Sequence, residues 1–200
     1  MDVKRILNND FTILLSRSNE GKTMTILNLI EDYRKLFSGN IMVFGVDPAI
    51  TSKFKVGTFS SLLELERIKN SIVFIDEVGT IFDLEERKYR KQIESTLRLV
   101  NHNGNKLFMS GVCHDFKRFL CAHAKCFMFK GLNISDLING SLAKEILLQY
   151  KGNGVGVYSF ELPKDKVLCY DGEYFTENVK YIKDCDLKTE NVNLFVKKGV

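Results

Sequence analysis

The chain has 200 residues, 44% of them hydrophobic, which is enough for one sizeable core in a single domain. No apolar run reaches the length of about 18 residues that spans a membrane, and the opening MDVKRILNND lacks the apolar stretch of a secretory signal. Five cysteines, an odd number, argue for reduced thiols in a cytoplasmic setting and against a disulfide framework. The net charge of +4 is mildly basic and lies in the first 150 residues, because acidic and basic side chains balance in residues 151–200. It is compatible with nucleic acid without pointing to it.

Apolar, β-rich runs alternate with helical patterns. Phe11–Leu15 reads as a strand. Lys22–Phe37 reads as a helix, because Ile26, Leu29, Ile30, Tyr33 and Phe37 recur on one face at the 3.6-residue period. Ile41–Val46 is a second strand, closed by Asp47-Pro48. Ser61 and Glu64 form a capping-box pattern that predicts a helix to about Asn70. Ser71–Ile75 is an all-apolar strand, and Glu85–Val100 a long charged helix with Tyr89, Ile93, Leu97 and Val100 facing inward. Asn101–Asn105 breaks it before a strand at Lys106–Val112. A short helix near Phe116–Ala122, a strand at Lys125–Lys130 and a helix over Ser135–Tyr150 follow. Val155–Phe160 and Lys166–Tyr170, joined through Pro163-Lys164-Asp165, look like an antiparallel hairpin, and the last twenty residues are weakly patterned.

Strands that are apolar throughout need both faces covered, and alternation with helices supplies that cover. The expected fold is α/β: a mostly parallel sheet flanked by helices over residues 1–150, with a small C-terminal β-hairpin extension and tail over 151–200. Such sheets bind ligands at the carboxyl ends of their strands, here just after residues 15, 46, 75 and 112.

After residue 15 comes SRSNEGKT, Ser16 to Thr23. It is the phosphate-loop pattern G-x-x-x-x-G-K-[ST] with Ser16 in place of the first glycine. A loop between a strand and a helix turns backbone N–H groups inward and ends on a helix N-terminus, which makes a concave anion site. The cradle comprises Ser16, Arg17, Ser18, Asn19, Glu20, Gly21, Lys22, Thr23 and Met24. Gly21 allows close backbone approach, Lys22 would reach the β- and γ-phosphates of a nucleotide, and Thr23 would offer its hydroxyl to Mg²⁺. A second half stands in SIVFIDEVG, residues 71–79, where four apolar residues end in Asp76-Glu77. An aspartate there holds the Mg²⁺ shell, and an adjacent glutamate polarises an attacking water. Triphosphate and carboxylate would repel unless Mg²⁺ and Lys22 lay between them.

At these residues the chain resembles a phosphate-loop NTPase with Walker A (SRSNEGKT) and Walker B (IVFIDE) motifs. The Asp76-Glu77 pair resembles the additional-strand, catalytic-glutamate division, which includes RecA-like motors, the FtsK–HerA class and viral genome-packaging ATPases. LRLVNHNGNKLFMSG, residues 97–111, has the form of that division's sensor region: helix, turn, strand, then Ser110. The short helix and the strand CFMFK that follow resemble the FtsK–HerA and packaging group, and the likeness covers roughly residues 8–150. It implies a RecA-like sheet, with ATP and Mg²⁺ as cofactors and Thr23 and Asp76 as metal ligands. It also implies catalytic roles for Lys22 and Glu77, and a sensor at Ser110 or else Cys113. The departures are Ser16, which replaces the first glycine, and Glu20, a carboxylate that must turn to solvent or to a partner.

The resemblance further implies a homo-oligomeric ring, hexamer or pentamer, in which an arginine from one subunit completes the neighbour's site. Arg98, then Arg118, are the candidates; Arg17 is a third, as a nucleotide contact. The implied activity is an Mg²⁺-dependent ATPase that translocates double-stranded DNA into a viral capsid, with a capsid or portal protein as a further partner, in host cytoplasm or virion. The alternatives are an ATPase of filamentous-phage assembly or secretion, and a nucleotide-binding switch with little turnover. Cys113, His114, Cys121, His123 and Cys126 are the right residue types for zinc, but no C-x₂-C pair sets the spacing, and Cys126 reads as a small buried hydrophobe. EERKYRKQ, residues 85–92, reads as the wet face of a helix before it reads as a DNA contact, and Lys117-Arg118 and Lys130 read similarly.

Overall fold

The computed structural model describes residues 3–59, 61–81, 87–114, 116, 118–151, 162 and 166–180. The strands are β1 (Phe11–Ser16), β2 (Asn40–Phe44), β3 (Gly57–Thr58), β4 (Ser71–Ile75), β5 (Lys106–Val112), β6 (Cys126–Lys130), β7 (Lys166–Tyr170) and β8 (Phe175–Lys180). The helices are α1 (Val3–Leu7), α2 (Lys22–Arg34), α3 (Pro48–Thr51), α4 (Val78–Ile81), α5 (Arg87–His102), α6 (Arg118–His123) and α7 (Leu142–Lys151). Among the described residues the strands form one sheet in the order β3-β2-β4-β5-β1-β6-β7-β8. Pairing is parallel from β3 to β6, and antiparallel from β6 to β7 and from β7 to β8. Strand β5 therefore stands between β1 and β4, the two strands that end in the phosphate loop and in Asp76-Glu77.

The apolar runs are buried on both faces because side chains alternate across each strand. Ile13, Leu15, Val73, Ile75, Phe127 and Phe129 enter one core, with Val100 of α5, Leu120 of α6 and Leu147 of α7. Leu14, Phe74, Phe108 and Met128 enter the other, with Ile6 of α1 and Ile26, Leu29, Ile30 and Tyr33 of α2. The result is three layers, helix on sheet on helix, as the continuous hydrophobicity of the strands requires.

Several elements differ from the sequence reading. Helix α2 stops at Arg34; the N–H groups of Leu36 and Phe37 both bond the Tyr33 carbonyl, so Phe37 packs from the turn beyond the helix. Residues Leu62–Arg67 form a 3₁₀ helix in place of the α-helix expected to Asn70. The helix expected over Ser135–Tyr150 divides into a 3₁₀ turn at Ile134–Asp136 and α7, with Gly140 between them at φ 70°, where glycine has no steric cost. Strand β7 forms where expected, but the hairpin partner found for it is β8, across the Asp171–Tyr174 turn. The expected partner Val155–Phe160 lies outside the described residues. Strand β8 escaped the sequence reading because FTENVK mixes polar and charged residues throughout.

The Phe74 ring is wholly buried, with ring centroids 5.8 Å from Tyr33 and 5.2 Å from Phe108. Phe74→Ala should lower unfolding free energy by about 3–5 kcal/mol in chemical denaturation. Leu36→Ala, at a side chain 45% exposed, should change it by less than about 0.5 kcal/mol.

Candidate active site

The turn from β1 into α2 is made by two left-handed residues, Asn19 at φ 60° and Gly21 at φ 78°. Asparagine is among the few side chains that tolerate that region, and glycine carries no penalty there. Gly21 occupies the N-cap of α2, so no side chain covers the first-turn N–H groups, and the loop closes on an open helix N-terminus. Ser16, in the first-glycine position, ends β1 fully buried, and its hydroxyl donates to the Arg17 carbonyl at 3.1 Å. Ser18 and Asn19 are exposed. The Glu20 side chain lies over Gly131 at the end of β6: a Cβ added to Gly131 would stand 2.7 Å from the Glu20 Cβ, Cγ and Oε2. Met24 packs against the α2 core.

The parallel register brings the two halves of the site together. Asp76, the residue after β4, is 0% exposed, and both of its carboxylate oxygens accept hydrogen bonds. The Thr23 hydroxyl donates to Oδ2 and the Ser110 hydroxyl to Oδ1, while the Glu77 N–H donates to Oδ1 at 3.1 Å. Burial pushes the Asp76 carboxyl up to about 6; the hydrogen bonds from Ser110 and Thr23 oppose it, Glu77 adds to it, and Lys22 opposes it. Glu77 sits at φ 52°, a left-handed conformation rare for this residue type and of the kind that gathers at functional sites. Its carboxylate lies 3.0 Å from the Lys22 ammonium, whose side chain is 3% exposed. Lys22 also donates to the Arg17 carbonyl at 3.3 Å. Two oxygen donors, those of Thr23 and Asp76, thus converge at a buried position, a donor set that suits Mg²⁺.

Thr23, Asp76, Ser110, Lys22 and Glu77 stand together as the sequence expected. Of Ser110 and Cys113, it is the Ser110 hydroxyl that reaches Asp76. Arg17 is turned to Asp136, with its Nε 2.7 Å from Oδ2. Arg98 stands exposed on the second half of α5, which runs back toward the amino end of β5, away from this constellation. Arg118 opens α6, and its side chain lies outside the description. Cys113, Cys121 and Cys126 are buried, Cys126 with its sulfur 3.7 Å from that of Cys169. Lys130 is 0% exposed, which corrects its reading as a solvated or DNA-facing lysine. A Cβ at Gly21 would lie 3.5 Å from the Lys130 Cε, so the Lys130 stem lies under the phosphate loop. The sequence reading missed Asp136 as the partner of Arg17; the two are 119 residues apart. The one local signal was Asn133-x-x-Asp136, a capping box that fixes the Asp136 carboxylate against the Asn133 N–H at 2.6 Å.

A carboxyl with a raised pKa in the folded state stabilises the fold when protonated. That contribution is complete below the unfolded value of 3.8 and is lost as pH rises through about 6. In metal-free protein, unfolding free energy should therefore fall by roughly 2 kcal/mol between pH 4 and 7 on account of Asp76, and Asp76→Asn should remove that part of the slope in denaturant titrations across this range.

No protein-family model matches the sequence, and no curated protein matches it. Solved structures do. The genome packaging NTPase B204 from Sulfolobus turreted icosahedral virus 2, in complex with ATP-gammaS, superposes with a TM-score of 0.63 at 13% identity, over 87% of this chain and 98% of that one. The DNA-packaging ATPase B204 from Sulfolobus Turreted Icosahedral Virus superposes at 0.61 with 14% identity, over 84% of this chain and 95% of that one. EssC (ATPases 2 and 3) from Geobacillus thermodenitrificans gives 0.57 at 10% identity, over 90% of this chain and 41% of that one. The loop after β1, the Asp76-Glu77 strand end and the strand β5 between them lie within the fold that this chain shares with those ATPase structures.

Proposed function

We propose that the protein is an Mg²⁺-dependent ATPase that moves double-stranded DNA as a ring-shaped genome-packaging motor. The observation that carries this reading is the convergence of Thr23, Asp76 and Ser110 in one hydrogen-bonded group beside Lys22 and Glu77. Residues 1–150 are the motor core, and residues 151–200, of which β7 and β8 extend the same sheet, are its accessory part.

The α2 N-terminus and the loop amides bind the β- and γ-phosphates, and Lys22 contributes its charge there. Thr23 and Asp76 would hold Mg²⁺, which supplies charge neutralisation of the phosphates. Glu77, released from Lys22 when the phosphates draw that ammonium away, orients the attacking water. Ser110 keeps Asp76 in place and senses the γ-phosphate side. Arg98 of a neighbouring subunit, or else Arg118, stabilises the transferring phosphoryl group. A capsid or portal protein would recruit the ring. A second reading, a nucleotide switch with little turnover, draws support from the Lys22–Glu77 ion pair, which occupies both groups at once.

Phosphate release from Mg-ATP should rise on addition of duplex DNA, and Lys22→Ala should abolish it. Glu77→Gln should lower turnover by roughly 10²–10⁴-fold while ATP stays bound. Clear ATP binding without turnover under either condition would instead establish the switch. Mixing Arg98→Ala with Lys22→Ala protomers, each inactive alone, should restore part of the activity if the arginine acts across a subunit boundary; no recovery would remove Arg98 from the site.

A further inference from the structure

The loops that feed the strands at their amino ends form the face of the sheet opposite the candidate active site, and five of them carry a lysine. Lys55 precedes β3, Lys35 lies in the turn after α2 that leads to β2, and Lys69 precedes β4. Lys106 opens β5, and Lys125 precedes β6. Backbone hydrogen bonds tie these loops to one another: Asn70 N–H to the Asn103 carbonyl at 3.0 Å, Leu107 N–H to Asp10 at 2.8 Å and Lys125 N–H to Phe11 at 3.2 Å. The lysines are thus held on a scaffold whose pitch is the strand spacing. From β3 to β6 that is a row roughly 25 Å long, at about 4.8 Å per strand.

Lys55, Lys69 and Lys125 are exposed, and the Lys35 side chain is 71% exposed. Two carboxylates interrupt the row, and each is bonded to one of its lysines: Asp32 to Lys35 at 3.4 Å and Asp10 to Lys106 at 3.8 Å. Glu66 flanks it, and Asp171 and Glu173 bound it beyond Lys125. Exposed Asn40 and Asn70 add amide donors between the charges. At the end bounded by Asp171 and Glu173 stands the exposed ring of Tyr174, with the Arg5 guanidinium 5.1 Å from its centroid; a single ring so engaged is no platform for a run of unpaired bases.

We propose that this lysine row is a sequence-independent docking surface for the phosphate backbone of duplex DNA. A line of point charges set across the amino ends of the strands, with a gap at β1, suits a polyanion, and lysine carries charge to phosphates without reading bases. The duplex as partner rests on the function proposed above; the location of the surface rests on the row alone.

The test is binding of a fluorescent 30-base-pair duplex to the full chain without nucleotide, measured from low to moderate salt. The triple variant Lys55→Gln, Lys69→Gln, Lys125→Gln should lower the slope of log K against log salt by about 3, near 1 per lysine. Its melting temperature and basal phosphate release should not change. The control variant Lys91→Gln, Lys144→Gln, exposed or half-exposed lysines away from the row, should leave the slope unchanged. An equal fall in both variants would mean net charge alone acts and would overturn the proposal. So would an unchanged slope in the triple variant, or loss of binding to phosphatidylserine vesicles with duplex binding intact. A slope that falls as expected in a protein that never hydrolyses ATP would keep the surface and discard the motor.

Discussion

The structure depends on the burial of one carboxylate. Asp76 is excluded from solvent at the centre of the parallel sheet, where an unpaired charge would cost several kcal/mol. Its two oxygens are satisfied from three directions: Thr23 at the start of α2, Ser110 in β5, and the backbone of Glu77. Each donor comes from a different stretch of chain. The order β4-β5-β1 is the arrangement that puts β5 between the phosphate loop and the acidic strand end, so that the Ser110 hydroxyl reaches the carboxylate. Satisfying Asp76 therefore binds together the elements that make up the site.

Around that anchor the charges are poised. Lys22 and Glu77 neutralise each other, and the left-handed backbone at Glu77 turns its side chain back over the loop. This arrangement keeps both groups in place, and any anion that reached the ammonium would have to compete with Glu77 for it. The phosphate loop is also tied outward by Arg17–Asp136 and underlain by the buried Lys130 stem, so its shape rests on the β6–α7 segment as well as on its own turn residues.

The sheet has two unlike ends. Its carboxyl end gathers buried polar groups of opposite sign within hydrogen-bonding distance. Its amino end spreads exposed lysines along the strand pitch. Parallel strands produce this polarity, because all carboxyl ends face one way and every returning helix delivers a loop to the other. The C-terminal β7 and β8 break the rule by pairing antiparallel, and they extend the sheet beyond β6 without adding to the carboxyl-end site.

Much of this was legible in the chain itself. Continuous apolar runs named β1, β4 and β6, because strands buried on both faces must be apolar throughout. Gly21-Lys22-Thr23 and Asp76-Glu77 marked the strand-to-helix turn and the strand end that the fold brings side by side, because an abrupt change from apolar to polar residues is legible locally. Short-range backbone effects were less legible: the 3₁₀ geometry of Leu62–Arg67 and the division of Ser135–Tyr150 turn on local hydrogen bonding and one left-handed glycine, which periodicity does not record. The pairing of β7 with β8, the contact of Ser110 with Asp76, the contact of Arg17 with Asp136 and the burial of Lys130 were decided by tertiary structure alone. Each joins residues from different elements, and their meeting is set by sheet order and register, which no local window of sequence contains.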